Sequence, residues 1–112
     1  AVTESWNGSS WTEVGDLNTA RQRLAAASNT YTDSVVFGGY TSTEVGVTET
    51  WNGSAWTEGT DMSTARTELG GGGATSSSAI AFAGQTGSPN VRTAATEEWL
   101  QPGPTTVSFT VS

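Results

Sequence analysis

Apolar positions along this chain come in short, strand-sized bursts set among small and polar residues. Within residues 31–40, Val35, Val36 and Phe37 form one such burst, stopped by Gly38-Gly39. β-Branched and aromatic residues halted by a glycine doublet read as a strand. Residues 24–30 (LAAASNT) are small and slightly apolar, and the two segments are expected to pair antiparallel. After a variable loop at 41–46 (TSTEVG), residues 47–51 read as a third strand and 54–58 as a fourth, with Asn52-Gly53 between them. Asn-Gly suits a two-residue turn with both residues at positive φ.

Asn7-Gly8 gives the same signal earlier in the chain. A two-residue turn there pairs Trp6 with Ser9 and Glu4 with Trp11. Period-two alternation then puts Glu4, Trp6, Trp11 and Glu13 on one face and Thr3, Ser5, Ser10 and Thr12 on the other. Trp6 and Trp11 meet diagonally, as do Trp51 and Trp56. Each indole can bury about 150–250 Å², so these four tryptophans are expected to be mostly buried and to be the main apolar glue. Residues 105–112 (TTVSFTVS) alternate cleanly, with Val107, Phe109 and Val111 on one face, and read as a further strand after Pro102 and Pro104.

The bursts repeat. Residues 3–24 recur 45 positions later as residues 48–69, with 14 of 22 positions identical. Phe37-Gly38-Gly39 returns as Phe82-Ala83-Gly84, and Glu4-Ser5-Trp6 and Glu49-Thr50-Trp51 return as Glu97-Glu98-Trp99. Repetition at this period marks an array of units that bury their apolar faces on one another. The division expected is a half unit at 1–20, a full unit at 21–66, a last unit at 67–101 and a closing or docking strand at 102–112.

Composition removes several chemistries. There is no Lys, His or Cys, and eleven acidic residues against four Arg give a net charge of −7. Without His or Cys there is neither a disulfide frame nor a soft metal site, and the commonest general base is absent. The negative charge disfavours nucleic acid and anionic membrane surfaces as partners. No apolar stretch approaches the roughly 20 residues that span a bilayer.

The pattern Val35-Val36-Phe37-Gly38-Gly39, Thr48-Glu49-Thr50-Trp51, Trp56, Asp61-Met62 and Arg66 resembles a kelch repeat. The wording around the Trp, Asn-Gly-Ser and Thr-Ala-Arg positions resembles the kelch-like arrays of virion structural and tail-fibre proteins of marine tailed bacteriophages. The resemblance implies an all-β fold of about two and a half four-stranded antiparallel propeller blades, an incomplete ring unless further chain or an oligomer completes it. It also implies that Arg21 and Arg66 tie neighbouring blades by bonding a Glu or backbone carbonyls, with Trp6, Trp11, Trp51, Trp56 and Trp99 structural between blades. Two positions depart from the pattern: Ala83 replaces a glycine of the doublet, and residues 100–104 replace the Asn-Gly-Ser hairpin.

The remaining motifs carry little chemistry. Asn7-Gly8-Ser9 and Asn52-Gly53-Ser54 match the glycosylation acceptor pattern, but turn geometry already accounts for them. Gly70–Gly73 lacks the lysine and helix of a phosphate loop and reads as an inner strand. Glu97 and Glu98 are adjacent, so a strand points them to opposite faces, which argues against a glycosidase pair. Kelch-type copper oxidases need ligands that this chain lacks.

The expectation is therefore a non-enzymatic module with no catalytic residue, metal or cofactor. The resemblance points to a virion structural or attachment role, in the extracellular virion, with blade loops meeting other virion proteins or a host surface glycan. Candidate contact residues are Thr41, Ser42 and Glu44 in one loop and Thr86, Asn90 and Arg92 in another. The alternative is a secreted or cell-surface bacterial kelch-type adhesin or lectin. Because residues 1–20 supply only third and fourth strands, the isolated chain is not expected to be a stable monomer. Further blades of the same polypeptide are favoured over a homo-oligomer as the completing element.

Overall fold

The computed structural model describes residues 1–87 and 91–100, and all regular structure among them is β. The strands are β1 (Thr3–Trp6), β2 (Trp11–Val14), β3 (Ala25–Thr30), β4 (Asp33–Phe37), β5 (Thr48–Trp51), β6 (Trp56–Glu58), β7 (Gly70–Thr75), β8 (Ser78–Phe82), β9 (Gln85–Thr86), β10 (Val91–Arg92) and β11 (Thr96–Leu100). They form a hairpin β1-β2, a four-stranded sheet β3-β4-β5-β6, a three-stranded sheet in the order β11-β8-β7, and a short pair β9-β10. All pairings are antiparallel, and no sheet closes on itself. The expected strand at 102–112, and Asn90, lie outside the described residues.

The four expected strands of the full unit form in order, because their alternation matches the pleat. Ala25 and Ala27 are buried while Ala26 between them is exposed, and Val35 and Phe37 sit opposite them on β4. These four join Leu69, Ala79 and Ala81 in one apolar cluster, with Met62 and Trp99 packed against it. The core therefore lies between β3-β4 of one sheet and β7-β8 of the next. A side chain at Gly71 would stand 2.9 Å from the Ala26 carbonyl and 3.0 Å from the Phe37 ring. The glycine run is thus the strand that lets β7 approach β3 closely.

The hairpin registers differ from the expectation. Trp6 pairs directly with Trp11 and Glu4 with Glu13, and Trp51 pairs directly with Trp56. The loop has four residues rather than two. Only the glycine of each Asn-Gly takes a positive φ, Gly8 at 99° and Gly53 at 97°. The asparagine carboxamide is used instead: Asn7 Oδ1 accepts from the N–H groups of Ser9 and Ser10, and Asn52 Oδ1 from those of Ser54 and Ala55. Capturing two successive amides widens the turn. The slip is two residues, so the faces assigned to each side chain survive, and the paired indoles lie 5.3 Å apart in both hairpins.

Burial of the tryptophans also differs. Trp51 is 6% exposed and Trp56 is half-buried, but Trp6 is 48% and Trp11 64% exposed. Among the described residues the Trp6 and Trp11 face is covered only in part: Glu4 and Trp6 border a cleft whose far side is formed by Tyr31, Ser34, Trp51 and Trp56. Thr3, Ser5 and Val14, on the other face of this hairpin, are half-buried and line the same cleft of about 260 Å³.

Ala83 does not change the chain path. It takes φ of 59°, close to the 64° of Gly38 at the equivalent place. Its N–H bonds the Ala95 carbonyl, as the Gly38 N–H bonds that of Val47.

Candidate functional site

The chemistry of the molecule concentrates where one repeat unit meets the next. Residues 15–21 leave β2 without regular structure, so their backbone donors are free to turn outward. Glu49, in the middle of β5, has no exposed surface and collects them: Oε1 accepts from Asn18 N–H at 2.7 Å and Oε2 from Thr19 N–H at 3.3 Å. Arg21 Nη1 completes the set 2.8 Å from Oε2, with both side chains fully buried. Asn18 Nδ2 also reaches the Trp56 carbonyl at 2.8 Å. One carboxylate thereby gathers two amides, a guanidinium and a whole loop.

The arrangement recurs one unit later. Ser63 N–H donates to Glu97 Oε1 at 2.6 Å, and Arg66 Nη2 lies 2.8 Å from Glu97 Oε2. Arg66 is fully buried, and its Nη1 also bonds the carbonyls of Ala83 at 3.1 Å and Ala95 at 2.7 Å. The two clamps are not equal. Arg21 Nη2 and Nε are buried without a partner, whereas only Nε is orphaned in Arg66.

Charge and burial oppose one another at Glu97. Partial burial pushes its carboxyl up, but the Ser63 amide and hydroxyl and the Arg66 guanidinium outweigh that and hold it below the usual carboxylate range. Asp33 is lowered too, through bonds from Ser76, whose N–H lies 2.8 Å from Asp33 Oδ1 and links the β3-β4 tip to the β7-β8 tip.

The tryptophans extend the joint outward. The Trp51 ring lies against Gly15 and the Trp99 ring against Gly59, so that each indole covers a glycine of the preceding unit. Trp51 Nε1 donates to the Tyr31 carbonyl at 3.1 Å and Trp99 Nε1 to that of Ser76 at 2.7 Å. A cleft of about 350 Å³ beside Trp99 is lined by Asp61, Met62, Glu97 and Glu98.

The loop candidates lie apart from these joints. Thr41 and Ser42 are exposed and Glu44 half-buried, in a turn pinned at its base by the Tyr40–Glu44 bridge. Thr86 sits in β9 and Arg92 in β10, where Arg92 is exposed beside a shallow cleft it shares with Glu68 and Gln85. The structure does not bring the two loop groups together with the clamps. Glu97 and Glu98 occupy successive places on β11, paired with Ala81 and Ile80. No cluster of three or more metal-ligating side chains occurs among the described residues.

The backbone amides of Asn18, Thr19 and Ser63 and the Asp33–Ser76 link were not anticipated from the residues. Amide donors have no letter in a sequence; the only available signal was that Asn18 and Ser63 occupy the same offset in the repeat. No protein-family model matches this chain, and no curated protein matches it either.

Proposed function

We propose that the chain is part of a kelch-type β-propeller serving as a non-enzymatic virion structural and attachment module of a tailed bacteriophage, its loops meeting another virion protein or a host surface glycan. The observation that carries this reading is the division of labour between joints and loops. The arginines, glutamates and tryptophans of the joints are residues that recur, while residues 41–44 and Arg92 stand clear of them. A scaffold that leaves its variable loops free is suited to display. The resemblance of the repeat wording to phage virion arrays directs the choice of setting.

A secreted bacterial kelch-type adhesin or lectin would use the same loops. Peptides of this chain found by mass spectrometry in purified virions support the phage role; their absence from virions and presence in a bacterial secreted fraction would favour the adhesin. Glycan-array binding that falls on Glu44→Ala or Arg92→Ala would assign the ligand to the loops. Binding unchanged in both variants would reject that assignment.

A further inference from the structure

Glu4, Trp6, Trp11 and Glu13 are the first-unit counterparts of Glu49, Trp51, Trp56 and Glu58, in the same register: Glu4 faces Glu13 as Glu49 faces Glu58, and Trp6 faces Trp11 as Trp51 faces Trp56. In the second set Glu49 and Trp51 are buried and Trp56 is half-buried, with Glu58 exposed, whereas all four residues of the first set are exposed. Glu49 is fully buried, whereas Glu4 is exposed and has no ion-pair partner among the described residues. Trp51 is 6% exposed against 48% for Trp6. The strand edge differs in the same sense: β5 is paired on both sides, by β4 and β6, while β1 is paired only with β2. Tyr31, Ser34 and Trp51 line the cleft beside β1.

We infer that this face of the β1-β2 hairpin is a docking surface for one further repeat unit, linked in register ahead of it, whose arginine and loop amides close on the Glu4 carboxylate. The chemistry required of the occupant is written in the two filled joints. It needs a guanidinium, loop N–H groups two or three residues ahead of that arginine, and a small residue for each indole to cover. It also needs an extended strand to pair with the free edge of β1.

A second copy of this chain fits poorly. Its two arginines in the Thr-Ala-Arg context, Arg21 and Arg66, are already bound to Glu49 and Glu97, and Arg23 faces Glu68. Arg92 belongs to no such loop. Two hairpins placed face to face would oppose acidic groups on chains that each carry a net charge of −7.

The inference stands on the repeat and not on any ligand of the loops, so glycan or virion assays do not decide it. The test is a chain extended by a copy of residues 1–45 fused ahead of Ala1. This places an arginine 28 residues before Glu4, the separation of Arg21 from Glu49. Hydrogen exchange of the β1 amides should slow by about tenfold or more relative to the parent, and tryptophan emission should move to the blue. Glu4→Gln in the extended chain, or Ala in place of the added unit's arginine, should restore the parent exchange rate. Glu4→Gln in the parent should change neither readout.

Unchanged β1 exchange on extension, or slowing that survives both substitutions, would overturn the inference. So would self-association of the parent that shields Trp6 and Trp11 from acrylamide, because a second copy would then be the occupant.

Discussion

Arg21, at the start of the full repeat unit, places Nη1 2.8 Å from Oε2 of Glu49, whose carboxylate also holds the Asn18 and Thr19 amides of the preceding unit, and neither side chain of the pair retains any contact with solvent. Breaking such a pair from one side strands the other charge in the interior, which typically costs about 3–5 kcal/mol. Glu49→Gln should fall in that range by urea denaturation. Arg66→Ala should sit near its lower end, about 3 kcal/mol, because Glu97 keeps 22% of its surface in water. Arg23→Ala, which removes an exposed pair with Glu68, should cost less than about 1 kcal/mol. If Glu49→Gln proves no worse than Arg23→Ala, the buried clamps are not what joins the units.

The two tryptophan hairpins should respond unequally to the same truncation. Trp51→Ala removes a buried indole that covers Gly15 and donates to Tyr31, and should cost about 3–5 kcal/mol. Trp11, 64% exposed, loses mainly its contact with Trp6, so Trp11→Ala should cost about 1 kcal/mol or less. Equal losses in thermal melts would contradict the difference in burial.

Ala83 occupies a left-handed backbone position that its counterpart fills with Gly38. An L-residue there is strained by roughly 1–2 kcal/mol, and glycine relieves this while adding freedom to the unfolded chain. Ala83→Gly should therefore stabilise the protein modestly, by about 0.5–1 kcal/mol. A loss of stability would mean that the Ala83 methyl makes a packing contribution greater than the strain.

Acid should loosen the second joint. The native Glu97 carboxyl lies below its ordinary value of 4.5, so the unfolded chain takes up the proton first. The stability linked to this group is fully present above pH 4.5 and is lost as pH falls through the lowered native value. Glu97→Gln should lower stability at neutral pH and flatten its decline in acid. A decline as steep as that of the parent would move the titration to other groups.

Much of the architecture was legible because short-range signals agreed with the repeat. The Val35–Phe37 burst, the glycine doublet and the 45-residue period each mark the same strands, and four of them pair in chain order. The turn register was misread because an asparagine before glycine can serve either by adopting a positive φ or by lending its side-chain oxygen. Asn7 and Asn52 do the second. Burial of Trp6 and Trp11 was overestimated because a repeat specifies what a face can receive, not whether it is covered. The clamp arginines and glutamates were readable from their fixed offsets, but the amides that complete each clamp belong to irregular backbone and became visible only in three dimensions.

The loop between β4 and β5 is closed at its base by the Tyr40–Glu44 bridge and by the Val45 N–H to Gly39 carbonyl bond at 3.0 Å. Its ends are therefore fixed whatever lies between them. Lengthening such a segment costs only the entropy of closing a larger circle, about 0.6 kcal/mol for each doubling of its length. The stretch at 41–43 is accordingly an insertion site where foreign sequence can be carried at small thermodynamic cost, so surface variation in this scaffold is decoupled from its cohesion.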